Sequence, residues 1–277
     1  MRFGGPVWNW NTPDEWIAQL RVSGYRTAYA PVDEKSDSAT RSAYREAALT
    51  ADITIAEVGT WVNALDSDPV KRRANLEFCK ARLALADELG ARCCVNIAGS
   101  RGEVWDGPHA LNYAAETVDM IVETVREIID AVRPTRTRYA LETMPWMVPD
   151  SPESSLEIVR AVDRSAFAIH YDPINLVVSP RHFYQTGAMT EEFIEKVGPH
   201  ICAIHLKDTA IDSKLTVHIN EVRPGAGSFD LRTLLRTAQR CLDPDMPMLL
   251  EHLSEPSEYE LARQYVVSTA KEAGVPL

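Results

Sequence analysis

Ile201-Cys-Ala-Ile-His-Leu-Lys-Asp208 opens with four apolar residues and closes with His205, Lys207 and Asp208. A short run that is apolar at consecutive positions reads as a strand covered on both faces, the usual state of a parallel sheet. Seven other runs share this character: Arg2–Trp8, Tyr25–Pro31, Asp52–Gly59, Ala91–Ala98, Arg138–Met144, Ala166–Asp172 and Met246–Leu253. Amphipathic stretches with helix punctuation lie between them. Thr12-Pro13 and Ser151-Pro152 supply an N-cap followed by proline at the first helical position, and Asp68-Pro69 opens a long helix that Gly90 stops. Ala110–Val132 reads as one helix ended by Pro134, and Ser257–Ala273 closes the chain before Gly274. Eight β-then-α units in 277 residues, with no GxGxxG turn after the first strand, predict an α/β fold: a single (β/α)₈ TIM barrel over residues 1–277. Thr209–Ser228 is the longest irregular stretch, and its length marks a functional loop.

Catalytic groups of such barrels stand at the carboxyl ends of the strands. There the fifth run ends in Glu142, the sixth in Asp172, the seventh in His205 and the eighth in Glu251. Each follows an apolar run and is expected to be largely buried. Any one of these residues alone reads more readily as a cap, an ion-pair member or a core histidine. Four on consecutive strands read better as one site, because carboxylates gathered away from water need a compensating cation. Three carboxylates and an imidazole suit one divalent metal ion, Mn²⁺ foremost, with Mg²⁺ or Co²⁺ as alternatives, rather than a structural zinc.

Around these four, Lys207 lies two residues beyond His205 and points to the same side; an ion pair with a carboxylate is its simplest role. Glu57 and Asn96 end the third and fourth strands and are candidates for binding substrate hydroxyls. Trp8, Trp61, Trp105 and Trp146 fall at or just after strand ends, where a flat ring can stack on a sugar, Trp105 being the one assigned to substrate. His170 shares a face with Asp172 but lies deeper, as a core histidine or a support for the ligands.

The net charge of −11 disfavours a phosphate backbone as partner, so no nucleic acid is expected. No apolar run reaches membrane length, and no basic start followed by an apolar run opens the sequence. Five cysteines without a CxxC pair fit buried free thiols in a reducing cytoplasm.

At Leu141-Glu142, His205-Leu-Lys-Asp208, Pro224-Gly-Ala-Gly227, Leu250-Glu251 and Leu89-Gly90-Ala91 the sequence resembles the sugar phosphate isomerase/epimerase superfamily of xylose isomerase-like barrels, nearest to its ketose 3-epimerases. The resemblance spans nearly the whole chain. It implies that Glu142, Asp172, His205 and Glu251 hold the metal, that Glu142 and Glu251 also move protons on the two faces of the substrate, and that Arg223 contacts a substrate oxygen. Asn175 stands where those epimerases carry a histidine, and the second strand lacks their acidic end, so substrate contacts differ. Relatives are often dimers or tetramers, which makes a homo-oligomer the expectation.

The chemistry expected is removal of a proton next to the carbonyl of a sugar or keto-sugar, with the metal stabilising an enediolate. Return of the proton gives epimerisation or isomerisation. Loss of a β-hydroxyl gives the alternative, a metal-dependent lyase or dehydratase on an oxidised sugar or keto-polyol. An endonuclease IV-like repair barrel is disfavoured by the acidic balance, and a non-catalytic sugar-binding subunit by retention of both glutamates. A class I aldolase-type Schiff base on Lys207 leaves the carboxylates without a role. Pro224-Gly-Ala-Gly227 is a weak candidate for a phosphate turn.

Overall fold

The computed structural model describes residues 1–277. In chain order it contains β1 (Arg2–Gly4), α1 (Pro13–Ser23), β2 (Thr27–Tyr29), α2 (Ser38–Thr50), β3 (Thr54–Gly59), α3 (Pro69–Leu89), β4 (Cys93–Asn96), α4 (Ala115–Val132), β5 (Arg138–Glu142), α5 (Pro152–Val162), β6 (Phe167–Tyr171), α6 (Pro180–Phe183), α7 (Thr186–Val197), β7 (Ile201–Leu206), β8 (Asp208–Asp212), β9 (His218–Val222), α8 (Leu231–Cys241), β10 (Pro247–Leu250) and α9 (Pro256–Ala273). Eight parallel strands close on themselves in the order β1-β10-β7-β6-β5-β4-β3-β2, with the helices outside: a (β/α)₈ TIM barrel.

The helix punctuation acts as its chemistry dictates. Thr12 and Glu15 form a reciprocal capping box, Asp68 accepts from the amides of Val70 and Lys71, and Gly90 and Gly274 end their helices with left-handed φ of 69° and 74°. All eight barrel strands lie inside the runs read from sequence, but they are shorter. β1 stops before Gly5-Pro6 and β2 before Pro31, since proline has no N–H to donate to the ladder.

Two expectations need correction. The segment Ala110–Val132 is not one helix: a 3₁₀ turn over Ala110–Tyr113 is separated from α4 by Ala114, whose ψ of 142° is extended. The segment Thr209–Ser228 is not irregular: β8 and β9 pair as an antiparallel hairpin, from Asp208 opposite Val222 to Asp212 opposite His218.

The main core lies between sheet and helices. Inside the barrel a smaller cluster of Cys93, Val95, Ala140, Ala168, Cys202 and Ala203 forms the floor. These short side chains leave room above them for the polar residues at the strand ends. No helix is long and apolar enough to cross a membrane. All five cysteines are free; four are buried, but Cys241 is exposed, against the expectation of burial throughout.

Candidate functional site

Alternation along the strands builds the site. On β5, Ala140 and Glu142 share a face; on β6, Ala168 and His170 do, with Asp172 just beyond; on β7, Ala203, His205 and Lys207 do. Small residues thus lie low in the barrel, and acids, imidazoles and an ammonium lie over them. One ligand atom each from Glu142, Asp172, His205 and Glu251 falls within 4.8 Å of all the others, and all four residues are buried. The carboxyl ends of four consecutive barrel strands therefore converge on one point.

Local structure aims each ligand. Asp172 Oδ1 accepts from the backbone amides of Ile174 (2.9 Å) and Asn175 (3.3 Å), capping a turn and leaving Oδ2 for the barrel. Asp172 thus caps the turn and keeps its second oxygen among the candidate ligands. Thr143 locks the same segment, its hydroxyl donating to Asp172 O and accepting from Asp172 N, both at 2.9 Å. His205 Nδ1 lies 3.2 Å from Glu142 Oε1 and 2.7 Å from Glu251 Oε1.

Below them sits a second layer. His205 Nε2 lies 3.3 Å from Glu57 Oε2, and His170 Nε2 lies 2.7 Å from the same oxygen. Glu57 is thus beneath the imidazole, where the expected contact with substrate hydroxyls would have to pass the His205 ring; its partners make it a support for His205. His170 also lies in this layer, as its depth in the strand implied.

Lys207 enters the cluster itself, with Nζ 2.6 Å from Glu251 Oε1, 2.7 Å from Asp172 Oδ2 and 3.4 Å from Glu221 Oε2. The charges answer one another. Burial works against the charged form of His205, but the carboxylates of Glu251, Glu142 and Glu57 hold its pKa well above the usual histidine range. Lys207 is raised against burial in the same way by Asp172 and Glu251. Burial pushes Glu142 up, whereas Glu251 is held well below the usual carboxylate range by His205 and Lys207 despite its burial. Burial also opposes ionisation of Glu57, yet the imidazoles of His205 and His170 bring it down to about 2.

The donor set fits a divalent cation. Asp172 Oδ2 and Glu251 Oε1 are buried and accept no aligned hydrogen bond, although cationic groups stand beside them. Unsatisfied carboxylate oxygens facing an imidazole nitrogen and a third carboxylate are what a hard or borderline ion requires.

A family model described as xylose isomerase-like TIM barrel matches residues 8–266. The chain belongs to the xylose isomerase-like TIM barrel family. No curated protein matches its sequence. Among solved structures, a D-psicose 3-epimerase solved in the presence of D-fructose superposes with a TM-score of 0.72 at 13% identity, over 99% of this chain and 100% of that one. A probable 3-DHS dehydratase, AsbF, from Bacillus anthracis gives 0.71 at 13% identity over 97% and 99% of the two chains. A xylose isomerase-like protein from Mycobacterium smegmatis in complex with magnesium gives 0.66 at 19% identity over 95% and 90%.

Within this xylose isomerase-like barrel the other candidate residues divide. Asn175 reaches the site, its Nδ2 lying 3.3 Å from Glu142 Oε1. Asn96 does not. Its amide is spent on Val62 O (3.1 Å) and Val62 N (3.3 Å), near Cys79 of α3, so it pins the loop after β3 instead of meeting substrate. Arg223 bonds Glu258 (2.9 Å) and its neighbour's carbonyl, Pro224 O (3.0 Å), outside the ligand cluster. Trp105 is partly exposed in the loop after β4, where its carbonyl accepts from Ser100 N at 2.9 Å.

The turn Pro224-Gly-Ala-Gly227 is not a phosphate cradle. The amides of Gly225 and Gly227 donate to Asp208 Oδ2 at 2.9 and 3.1 Å, and those of Thr209 and Phe229 to Asp208 Oδ1 at 2.7 and 2.8 Å. An internal carboxylate already occupies this ring of N–H groups. Gly227 is required because a Cβ there would run into Thr209 O and the Asp208 carboxylate.

Sequence reasoning also missed Glu221 and His252. Glu221 comes from β9, unseen without the hairpin. His252 follows Glu251 directly, so alternation would turn it away; a φ of 57° brings its Nδ1 to 3.2 Å from Glu221 Oε1 at the rim.

Proposed function

We propose that this protein is a divalent-metal-dependent isomerase or epimerase that removes a proton next to the carbonyl of a sugar or keto-sugar. The observation that carries this reading is the convergence of Glu142 and Glu251 on one atom, His205 Nδ1, at 3.2 and 2.7 Å, with their pKa values pushed in opposite directions. Two carboxyl groups in one site with opposed shifts are the mark of an acid–base pair. In the metal-free protein burial makes Glu142 the stronger base of the two.

Glu142, Asp172, His205 and Glu251 would hold the ion, with Mn²⁺ the best match to three carboxylates and one imidazole. Bound there, it would supply Lewis-acid polarisation of the substrate carbonyl. The chain supplies the rest. One glutamate removes the proton on one face of the substrate, and the other delivers a proton to the opposite face, giving the epimer. Asn175, bonded to Glu142, keeps that carboxylate aimed.

Lys207 favours elimination as a second reading. An ammonium 2.6 Å from Glu251 can protonate a departing β-hydroxyl, making a dehydratase. A barrel of this shape serves both chemistries, since the D-psicose 3-epimerase and the probable 3-DHS dehydratase share it.

The test is incubation of the Mn²⁺-loaded protein with a panel of keto-sugars in D₂O, followed by NMR. Deuterium at the carbon next to the carbonyl, in a product that has lost no water and is otherwise of the substrate's composition, supports the epimerase. Loss of water supports the dehydratase. Protein that binds no divalent ion and exchanges no proton refutes both.

A further inference from the structure

A cleft of about 480 Å³ opens against the ligand cluster. Three separate segments wall it: Pro145-Trp146 after β5, Ile174–Val178 after β6, and the β8–β9 hairpin through Val217 and Ile219. Its composition is divided. Asn175 and Glu221 line it where it meets the cluster, the first 3.3 Å from Glu142 and the second 3.4 Å from Lys207. The rest of the lining is mostly apolar, with Trp146, Val177, Val178, Val217 and Ile219 beside the polar Thr209 and Asn220. Val178 and Val217 are each more than half exposed, at 54% and 52%. Trp146 spends its only polar atom elsewhere, Nε1 donating to Asp106 O at 2.6 Å, so the side chain presents an apolar ring.

A free keto-hexose can lay one C–H face on Trp146, but its hydroxyl-bearing carbons gain nothing from the aliphatic side chains of Val178 and Val217. A ligand with a polyol end and an apolar end matches both halves of the cleft. We propose that the substrate is a keto-sugar bearing an apolar substituent, a keto-glycoside with an aromatic or alkyl aglycone that lies between Trp146, Val178 and Val217. This inference rests on the metal-dependent proton abstraction proposed above and names the substrate class for that same site.

The apolar group is distant from the reacting carbon and is bound equally in ground and transition states, so it lowers KM and leaves kcat nearly unchanged. The experiment compares phenyl, octyl and methyl keto-glucosides on the Mn²⁺-loaded enzyme, with α-deuterium exchange as the rate. Saturation-transfer NMR on the metal-free protein, using phenyl and methyl glucosides that cannot react, reads binding without turnover. The expected result is a KM for the phenyl compound roughly 10- to 100-fold below that for the methyl compound, and selective saturation of the phenyl protons. Val178→Asp and Val217→Asp should collapse the phenyl-to-methyl ratio of kcat/KM, and Val178→Leu should keep it. Exchange at equal kcat/KM for phenyl and methyl substrates would overturn the proposal. So would a concentration-dependent dimer that Val217→Asp dissociates with the ratio untouched, since a second copy of the chain would then cover these residues. Absence of exchange on every keto-sugar, with phenyl glucoside still preferred in binding, would sink the catalytic reading and leave the cleft assignment standing.

Discussion

Glu57 Oε2 lies 3.3 Å from His205 Nε2, while the other nitrogen of the same ring lies 2.7 Å from Glu251 Oε1. The imidazole is held between a carboxylate beneath and carboxylates above. A carboxylate on one ring nitrogen fixes the tautomer and orientation of a metal-binding histidine. Glu57→Gln keeps the shape and removes the charge. Mn²⁺ affinity by titration calorimetry should fall about 10- to 100-fold. Unchanged affinity would show that Glu57 only fills space.

Lys207 acts as the built-in counter-cation of Asp172 and Glu251, at 2.7 and 2.6 Å. Lys207→Met leaves two buried carboxylates without it. The metal-free variant should be less stable by about 3 kcal/mol, because breaking a buried pair strands a charge. Added Mn²⁺ should raise the Tm of the variant more than that of the parent. Equal metal-induced shifts in thermal denaturation would contradict this.

The two glutamates should be separable from binding. Glu142→Gln and Glu251→Gln are each expected to lower α-deuterium exchange on the best keto-sugar by about 10²- to 10⁴-fold, the usual worth of a positioned proton-transfer group. Residual exchange above a tenth of the parent rate in either variant would remove that residue from the proton path.

Metal binding should compete with a proton. The His205 pKa is raised well above the ordinary histidine value of 6.5, so the ring carries a proton at neutral pH when no metal is bound. Nδ1 must lose a proton to act as a ligand, and Mn²⁺ affinity should rise up to about tenfold per pH unit. In the metal-free protein the sign is opposite. A group whose folded pKa is raised stabilises fully below its unfolded pKa, and that stabilisation is lost as pH rises through the folded value. The Tm gap between metal-loaded and metal-free protein should widen from pH 6 to pH 9. Calorimetry in buffers of different ionisation enthalpy should count about one proton released per ion.

Asp208 anchors the hairpin through four backbone amides. Hydrogen bonds to a buried charge are among the stronger ones, at about 1.5–3 kcal/mol each. Asp208→Ala should cost about 3–5 kcal/mol and lower Tm by roughly 10 °C. It should also loosen the wall that carries Val217 and Glu221, seen as faster amide exchange across β8 and β9. A Tm within 2 °C of the parent would show that the turn holds without it.

The barrel was legible because its code is local. Apolar runs such as Ile201-Cys-Ala-Ile204 mark buried parallel strands wherever they stand, and caps such as Thr12, Asp68 and Gly90 act through neighbours three or four residues away. The four candidate ligands were legible for a related reason: each stands at or next to the carboxyl end of an apolar strand, and those ends meet at one face once the sheet closes. The hairpin escaped notice because β8 begins at Asp208, a single residue beyond the strand that ends at Leu206, and its pairing with β9 crosses an irregular turn.

What the sequence alone determined is the period of each element, and with it which side chains share one face of a strand. Depth and partner choice belong to the tertiary structure. Asn96 ends β4 and Glu57 lies two residues before the end of β3, yet one faces the helices and the other lies under His205. Lys207 sits among the acids because β6 and β10 flank β7 and bring Asp172 and Glu251 to it from either neighbour, and Asp208 fills the glycine turn because the hairpin folds back upon it. Such contacts join residues tens of positions apart, and electrostatic energy depends on their separation in space, which no spacing along the chain records.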